Sequence, residues 1–197
     1  IKGGQAFDSE ASDKISLYQS NLKITEINKS WASLRRIEIP QGKWSDVETL
    51  YLGNNHFTEF PEQVATLPNL KEVYLEHNLI TTLSARVIDS MRSLKKVMLH
   101  NNRLTTIDEN ISTLHHVEEL SLANNCLTTL PAAISDLKGH LRILNLIGNP
   151  LQENGEMDTS GHYKTLGWRQ LKEIFGQKVL YHFPLEARRI QTPKHYI

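Results

Sequence analysis

Residues 94–104 read Leu-Lys-Lys-Val-Met-Leu-His-Asn-Asn-Arg-Leu and follow the pattern L-x-x-L-x-L-x-x-N-x-L. With aliphatic substitutions the pattern occurs five times, at spacings of 23, 24, 23 and 24 residues. The copies open at Val47, Leu70, Leu94, Val117 and Leu141 and carry asparagines at Asn55, Asn78, Asn102, Asn125 and Asn149. Five copies in one register indicate a solenoid, in which each repeat buries its apolar face only against neighbouring repeats.

The first half of each copy predicts a short strand with one buried face. Leu120 and Leu122, for example, alternate with the residues between and around them, which places the two leucines on the same side. The asparagine follows where the chain leaves the strand, and its amide can bond backbone groups that a tight buried bend would leave unpaired. We therefore expect one parallel sheet whose asparagines are structural.

The second half of each copy predicts a short helix or 3-10 turn on the opposite, convex side, because apolar residues recur three or four apart behind a proline. These residues include Phe60, Val64 and Leu67, then Ile107, Ile111 and Leu114, then Leu130, Ile134 and Leu137. Ser84 and Asp108 replace the proline, and the copies that open at Leu70 and Val117 hold one extra residue near Ile88 and Gly139. Local departures from the convex geometry are expected there.

Residues 1–46 are predicted to cap the N-terminal end of the repeat region, 47–151. Residues 8–21 have the apolar spacing of an amphipathic helix that covers this end. An atypical first strand is expected at Leu34, Ile37 and Ile39. The interior of the cap is expected to be filled by Trp31 and Trp44.

Residues 152–197 are predicted to cap the C-terminal end. A polar loop over 152–161 is followed by an apolar helical pattern over 165–176, for which Thr165 can cap the start and Gly176 the end. Residues 179–181 predict a short strand. Residues 185–197 are left as a tail without an assigned structure.

The composition excludes several classes of protein. Twenty-two Lys and Arg balance 22 Asp and Glu, so no net field favours nucleic acid or an anionic membrane. Cys126 is the single cysteine, which rules out an internal disulfide and favours a reducing, cytoplasmic compartment. No apolar run approaches the roughly 18 residues that cross a bilayer, and residues 1–5 lack the layout of a signal peptide.

Residues 47–151 resemble the leucine-rich-repeat family, in the cytosolic type with about 23 residues per repeat and an L-P-x-x-I-x-x-L convex half. The resemblance implies an α/β solenoid, a horseshoe arc with a concave parallel sheet, convex short helices or 3-10 turns, and helical caps. The segment TLGWRQLKEIFGQKV (165–179) also resembles the closing helix of leucine-rich-repeat effectors that intracellular bacteria deliver into host cells. The family implies a non-enzymatic module that binds a protein partner, and an effector would act in the host cytosol.

On the concave face, equivalent positions of successive repeats form columns about 4.8 Å apart. The second position runs Glu48, Lys71, Lys95, Glu118, Arg142, and the third runs Thr49, Glu72, Lys96, Glu119, Ile143. Opposite charges mostly lie side by side, so pairs such as Glu72–Lys96 and Lys95–Glu118 are expected to neutralise one another. A phosphate-binding groove would need like charges in register, and the columns do not show them.

The fifth position runs Tyr51, Tyr74, Met98, Ser121, Asn145, with Glu76 and His100 beside it at the seventh. Tyrosines and methionine that face solvent are typical of interfaces, since aromatic anchors contribute most of the binding energy there. The alternative is that the aromatic rings only cover the sheet. We predict a partner-binding site at Tyr51, Tyr74, Glu76, Met98 and His100.

Other functions are weighed against this one. A ubiquitin ligase would need a catalytic cysteine domain, but Cys126 lies inside a repeat, and there is no P-loop, HExxH or G-x-S-x-G motif. A regulatory or substrate-recognition domain of a ubiquitin ligase or phosphatase complex would look the same. A metal held by Glu76, His77 and His100 is disfavoured because the histidine spacing is not that of a zinc site. We expect a monomer without metal or cofactor.

Overall fold

The structure, a computed structural model, describes residues 4–6, 24–39 and 44–182. Its strands are β1 (Gly4–Ala6), β2 (Ile24–Asn28), β3 (Thr49–Tyr51), β4 (Glu72–Tyr74), β5 (Thr82–Leu83), β6 (Lys96–Met98), β7 (Thr106–Ile107), β8 (Glu119–Ser121), β9 (Leu130–Pro131), β10 (Ile143–Asn145), β11 (Thr165–Leu166) and β12 (Val179–Leu180). Eight of them form one sheet, ordered β1-β2-β3-β4-β6-β8-β10-β12, with every pairing parallel. The parallel sheet and solenoid predicted from the repeats are confirmed.

The central aliphatic residues of the repeat strands lie in exact register across the sheet. Leu50 pairs with Val73, Val73 with Val97, and Val97 with Leu120. All four are at most 1% exposed and belong to one continuous core that runs the length of the arc. The alternation read from the sequence therefore assigns the buried face correctly.

Each repeat asparagine lies buried and joins two repeats. The Asn102 side-chain oxygen accepts the Ile80 N–H at 3.0 Å, and its amide NH₂ donates to the carbonyls of Leu75 at 2.9 Å and Leu99 at 3.1 Å. Ile80 and Leu75 belong to the preceding repeat, whereas Leu99 belongs to the same repeat as the asparagine. The same three kinds of bond recur at Asn55, Asn78, Asn125 and Asn149. The structural role predicted for these residues is confirmed.

The residue before each asparagine has a left-handed backbone. Asn54, His77, Asn101 and Asn124 have φ angles between 51° and 57°, a region in which asparagine is enriched. The last repeat has Gly148 at this position, with φ of 78°, where an added Cβ would lie 2.1 Å from the Asn124 side-chain oxygen. The tight turn thus explains why the two residues at the strand end are Asn-Asn, His-Asn or Gly-Asn.

Short helices cover the convex side. They are a 3-10 helix at Glu62–Thr66, the α-helix α1 at Ala85–Asp89, and 3-10 helices at Glu109–Thr113 and Ala132–Gly139. Where proline is replaced, the side chain caps the helix instead: Ser84 Oγ accepts the Val87 N–H at 3.4 Å, and Asp108 Oδ1 accepts the Asn110 N–H at 2.9 Å. The two repeats with one extra residue hold the α-helix and the longest 3-10 helix, so the extra residue is absorbed locally.

At the N-terminal end the structure corrects the predicted first strand. Leu34, Ile37 and Ile39 do not form a strand, and the strand is β2, whose Ile27 pairs with Leu50. A sixth copy opens at Ile24, 23 residues before Val47, and the sequence hides it because Lys29 and Ala32 replace the last strand leucine and the asparagine. Leu34 is buried in the place that Phe57 occupies in the next repeat.

The two tryptophans of this region have different environments. Trp44 is buried in the core, as predicted. Trp31 is 78% exposed, so its predicted place inside the cap is wrong. It occupies the left-handed turn after β2, with φ of 61°, and residues at this point of the repeat direct their side chains away from the core. The helix predicted for residues 8–21 lies outside the described residues.

The C-terminal cap contains the predicted helix and strand. Helix α2 (Trp168–Phe175) ends at Gly176, and β12 extends the main sheet beside β10. The predicted start at Thr165 is wrong, because this residue lies in β11, which pairs antiparallel with β9, and the helix is capped at Gly167. Buried Gln170 accepts the N–H groups of Gly155 and Gly167, both at 3.0 Å. Residues 185–197 are not among the described residues.

Within the described ranges, no helix is long and apolar enough to cross a membrane.

Candidate functional site

Two stacked tyrosines occupy the concave face of β3 and β4. The rings of Tyr51 and Tyr74 lie 4.8 Å apart at an interplanar angle of 23°, as their direct pairing across parallel strands allows. The Tyr74 hydroxyl donates to Glu72 Oε2 at 2.8 Å. Burial raises the pKa of Tyr51, and the carboxylates of Glu26 and Glu72 add to this effect. Burial and the bond to Glu72 likewise raise the pKa of Tyr74, so both phenols stay protonated near neutral pH.

The charge columns form ion pairs along the sheet. Lys71 binds Glu48 at 2.7 Å, and Glu118 lies between Lys95 at 3.9 Å and Arg142 at 3.7 Å. The predicted Lys95–Glu118 pair is therefore present. Arg142 is largely exposed and the other groups are about half exposed, so each pair contributes little to stability, about 0–1 kcal/mol.

The other predicted pair is replaced by a neighbouring one. Lys96 binds Glu119 at 3.2 Å, while its ammonium lies 5.7 Å from the ring centroid of Tyr74. Glu72, the partner predicted for Lys96, instead accepts the Tyr74 hydroxyl. The stack thus has a lysine on the side of Tyr74 that is away from Tyr51.

Glu76 and His100 lie beside the tyrosines with unpaired polar atoms. Glu76 leans over Gly53, where an added Cβ would meet its Oε1 at 2.4 Å. Glu76 Oε2 and His100 Nδ1 are both buried without a hydrogen-bond partner. Burial lowers the pKa of His100. The carboxylate of Glu76 opposes this effect, whereas His77, whose ring lies 6.1 Å away, adds to it. An unpaired buried polar atom costs about 1–3 kcal/mol, so this site is poorly satisfied in the free protein.

The structure brings the five predicted site residues onto one surface. Tyr51, Tyr74 and Met98 are partners on β3, β4 and β6, and Glu76 and His100 follow in the turns after the last two strands. Three adjacent strands span about 10 Å. All five side chains are partly exposed. We call this surface the tyrosine patch.

One residue near the patch was not predicted from the sequence: Glu26 on β2, which pairs with Thr49 and raises the pKa of Tyr51. It was not predicted because it belongs to the sixth repeat, which the sequence pattern did not identify. Counting 23 residues back from Thr49 reaches it, and this spacing was the available signal.

The described residues hold no group of three His, Cys, Asp or Glu side chains that could bind a metal ion. His77 instead bonds Asn101, with 3.1 Å between His77 Nε2 and Asn101 Nδ2. Cys126 is a free, exposed thiol on the turn after β8.

Several solved structures have a similar fold. A leucine-rich-repeat protein of Leptospira interrogans has a TM-score of 0.59 and 26% identity over 81% of this chain and 37% of its own. The Toll–Spatzle complex of Drosophila has a TM-score of 0.57 and 22% identity over 70% and 18%. The APL1 leucine-rich-repeat domain has a TM-score of 0.54 and 21% identity over 68% and 35%. The chain spans less than two-fifths of the length of each of these chains.

No curated protein matches the chain significantly. The family profile described as "Leucine rich repeat" matches residues 45–104 and 92–151, which together cover just over half of the chain. The matched residues contain the five repeats whose strands, asparagines and convex helices are described above. The chain therefore belongs to the leucine-rich-repeat family.

Proposed function

We propose that this chain is a non-enzymatic module that binds a protein partner through the tyrosine patch. The observation that carries the proposal is the Tyr51–Tyr74 stack on the concave sheet, next to two buried polar atoms without partners. Leucine-rich-repeat proteins generally mediate protein–protein interactions, and repeat arcs present extended concave surfaces for this purpose.

The physical properties of the patch suit a binding site. Tyrosine contributes large contact area at a low cost in side-chain entropy, and the stack restrains both rings before a partner arrives. Glu76 and His100 would gain hydrogen bonds that the free protein does not provide. A partner that covers the patch therefore removes an unfavourable contribution as well as adding contacts.

The class of partner that we propose is a host protein met in the cytosol. The support is the resemblance of residues 165–179 to the closing helix of bacterial effectors, together with an exposed cysteine that a reducing compartment would keep free. Immunolocalisation of the native protein in infected cells would test this, and a location confined to the bacterium would contradict it.

The binding proposal is tested with a partner isolated by affinity capture and identified by mass spectrometry. In titration calorimetry we expect Tyr74→Ala to weaken binding by about 2 kcal/mol or more, and Lys71→Ala, which lies just before the same strand in an exposed ion pair, by under about 1 kcal/mol. Parental affinity in Tyr74→Ala would show that the tyrosines only cover the sheet and that the interface lies elsewhere.

A further inference from the structure

The tyrosine patch holds a carboxylate oxygen that lacks a hydrogen-bond donor. Glu76 Oε2 is buried without a partner, and an ionised carboxylate only accepts hydrogen bonds. The group that this carboxylate lacks is therefore a hydrogen-bond donor.

The charge at this end of the face has the sign that attracts a cation. The carboxylates of Glu26, Glu72 and Glu76 all raise the pKa of Tyr51, so all three lie close enough to the phenol to affect its charge. Towards the other end of the sheet, Glu118 and Glu119 are each matched by lysine or arginine. Glu76 Oε2 has no hydrogen-bond partner among the described residues. The Glu76 carboxylate is therefore a charge beside Tyr51 that a partner can neutralise.

The rings favour a flat cation. Lys96 already lies over Tyr74, whereas Tyr51 is partly exposed and has no cation over it among the described residues, so Tyr51 is the ring that a further cation can reach. A guanidinium group stacks on an aromatic ring and donates two parallel hydrogen bonds to one carboxylate, whereas an ammonium acts as a point charge.

We propose that the tyrosine patch binds an arginine side chain of the partner, with the guanidinium group donating to the carboxylate of Glu76 and lying against the ring of Tyr51. The inference rests on the proposed function, because it names the group that the concave face recognises. Glu76 is a partly exposed residue, so a rotation of its side chain brings the unpaired oxygen to the surface. Gly53 leaves open the space that the carboxylate occupies, because an added Cβ there would collide with it.

The test uses N-acetyl-arginine amide as a probe, with the citrulline and lysine amides for comparison. Each is titrated into the whole protein while the ring signals of Tyr51, Tyr74 and His100 are followed by NMR. Citrulline has nearly the shape of arginine without its charge, and lysine has the charge without the planar fork. We expect saturable shifts with arginine, binding at least about tenfold weaker with citrulline, and binding of lysine that is clearly weaker than that of arginine.

Glu76→Gln keeps the shape of the side chain and removes its charge. We expect it to weaken arginine binding about tenfold or more, while Glu118→Gln, a matched change at an ion-paired carboxylate of the same sheet, leaves the dissociation constant within about twofold. Amide spectra show whether each variant is folded. Absence of saturable shifts with arginine, equal binding of citrulline or lysine, or parental affinity in folded Glu76→Gln would overturn the proposal.

The two proposals fail in different ways. If arginine binds as expected but Tyr74→Ala leaves partner affinity unchanged, the patch binds a guanidinium group and the protein partner binds another surface of the chain. If Tyr74→Ala weakens the partner but arginine does not bind, the face is the interface and the recognised group is not arginine.

Discussion

At the scale of single residues, the adjacent asparagines of the repeat that opens at Leu94 have different roles. The buried Asn102 side chain bonds three backbone groups, whereas Asn101 occupies the left-handed turn and its side chain bonds His77. Replacing Asn102 by Ala leaves those backbone groups unpaired in the core, and we expect a loss of about 2–4 kcal/mol in the free energy of unfolding. Urea denaturation measures it.

The control is Asn101→Gly. Glycine adopts the left-handed turn without strain, so the change is expected to cost under about 1 kcal/mol. Equal losses in the two variants would mean that the turn conformation, and not the buried amide, is what the repeat requires.

His100 links stability to pH. Its pKa in the folded protein is lowered by burial from the ordinary value of 6.5, so the unfolded chain binds the proton more tightly. Protonation therefore favours unfolding: the penalty is absent well above pH 6.5 and grows as the pH falls below 6.5 towards the folded pKa. When the pH is lowered from about 7.5 to about 5.5, we expect the free energy of unfolding to fall less in His100→Gln than in the parent protein.

Urea midpoints at the two pH values test this. His116→Gln removes an exposed histidine of the convex side and controls for the change in histidine count. If the parent and His100→Gln lose the same stability on acidification, burial of His100 is not the cause of that loss.

At the scale of elements, the C-terminal cap depends on one buried side chain. Gln170 of α2 accepts the N–H groups of Gly155 and Gly167 and donates to Asn154 at 2.8 Å, so it holds the loop before the helix. We expect Gln170→Ala to increase amide hydrogen exchange over residues 152–167 by about tenfold or more, because these bonds are lost together.

Exposed Glu173 on the same helix provides the comparison. Glu173→Ala is expected to leave the exchange of residues 152–167 unchanged, and the central strands should keep their protection in both variants because repeats interact only with neighbours. Unchanged exchange in Gln170→Ala would show that β11 and β9 alone hold the loop.

The ends of the arc also show where sequence patterns stop being informative. The repeats were predictable because each position is tied to a fixed environment: a buried aliphatic column, a buried amide and a tight turn. The first strand was misplaced because Lys29 and Ala32 break the pattern at the two positions that identify it. The start of α2 was misplaced because Thr165 can cap a helix in principle, but strand pairing with Pro131 takes precedence.

The candidate site was predictable in part for the same reason. Columns follow from the repeat register, so the sequence placed Tyr51, Tyr74, Glu76, Met98 and His100 together. The orientation of side chains within a column does not follow from register, and this is why Lys96 binds Glu119 and not Glu72. The unpaired atoms of Glu76 and His100 likewise appear only with the packing.

At the scale of the whole molecule, stability comes from one core shared by all repeats. Leu99 is fully buried at its centre, and Leu99→Ala should lower the free energy of unfolding by about 2–5 kcal/mol. Its neighbour Met98 lies on the opposite, concave face, so Met98→Ala should cost clearly less. Thermal or urea unfolding compares them, and a larger loss in the Met98 variant would reverse the assigned faces.

The asparagine bonds also give the arc a direction of assembly. Each amide reaches back to the repeat that precedes it in the chain, as Asn102 does to Leu75 and Ile80. Each repeat therefore bonds, through its own asparagine, a neighbour that the ribosome has already made, and it is itself completed by the asparagine of the next repeat, as Leu104 is by Asn125. The repeat that opens at Ile24 has Ala32 where the later repeats have asparagine. The asparagine bonds can therefore form in the order of translation, one repeat at a time.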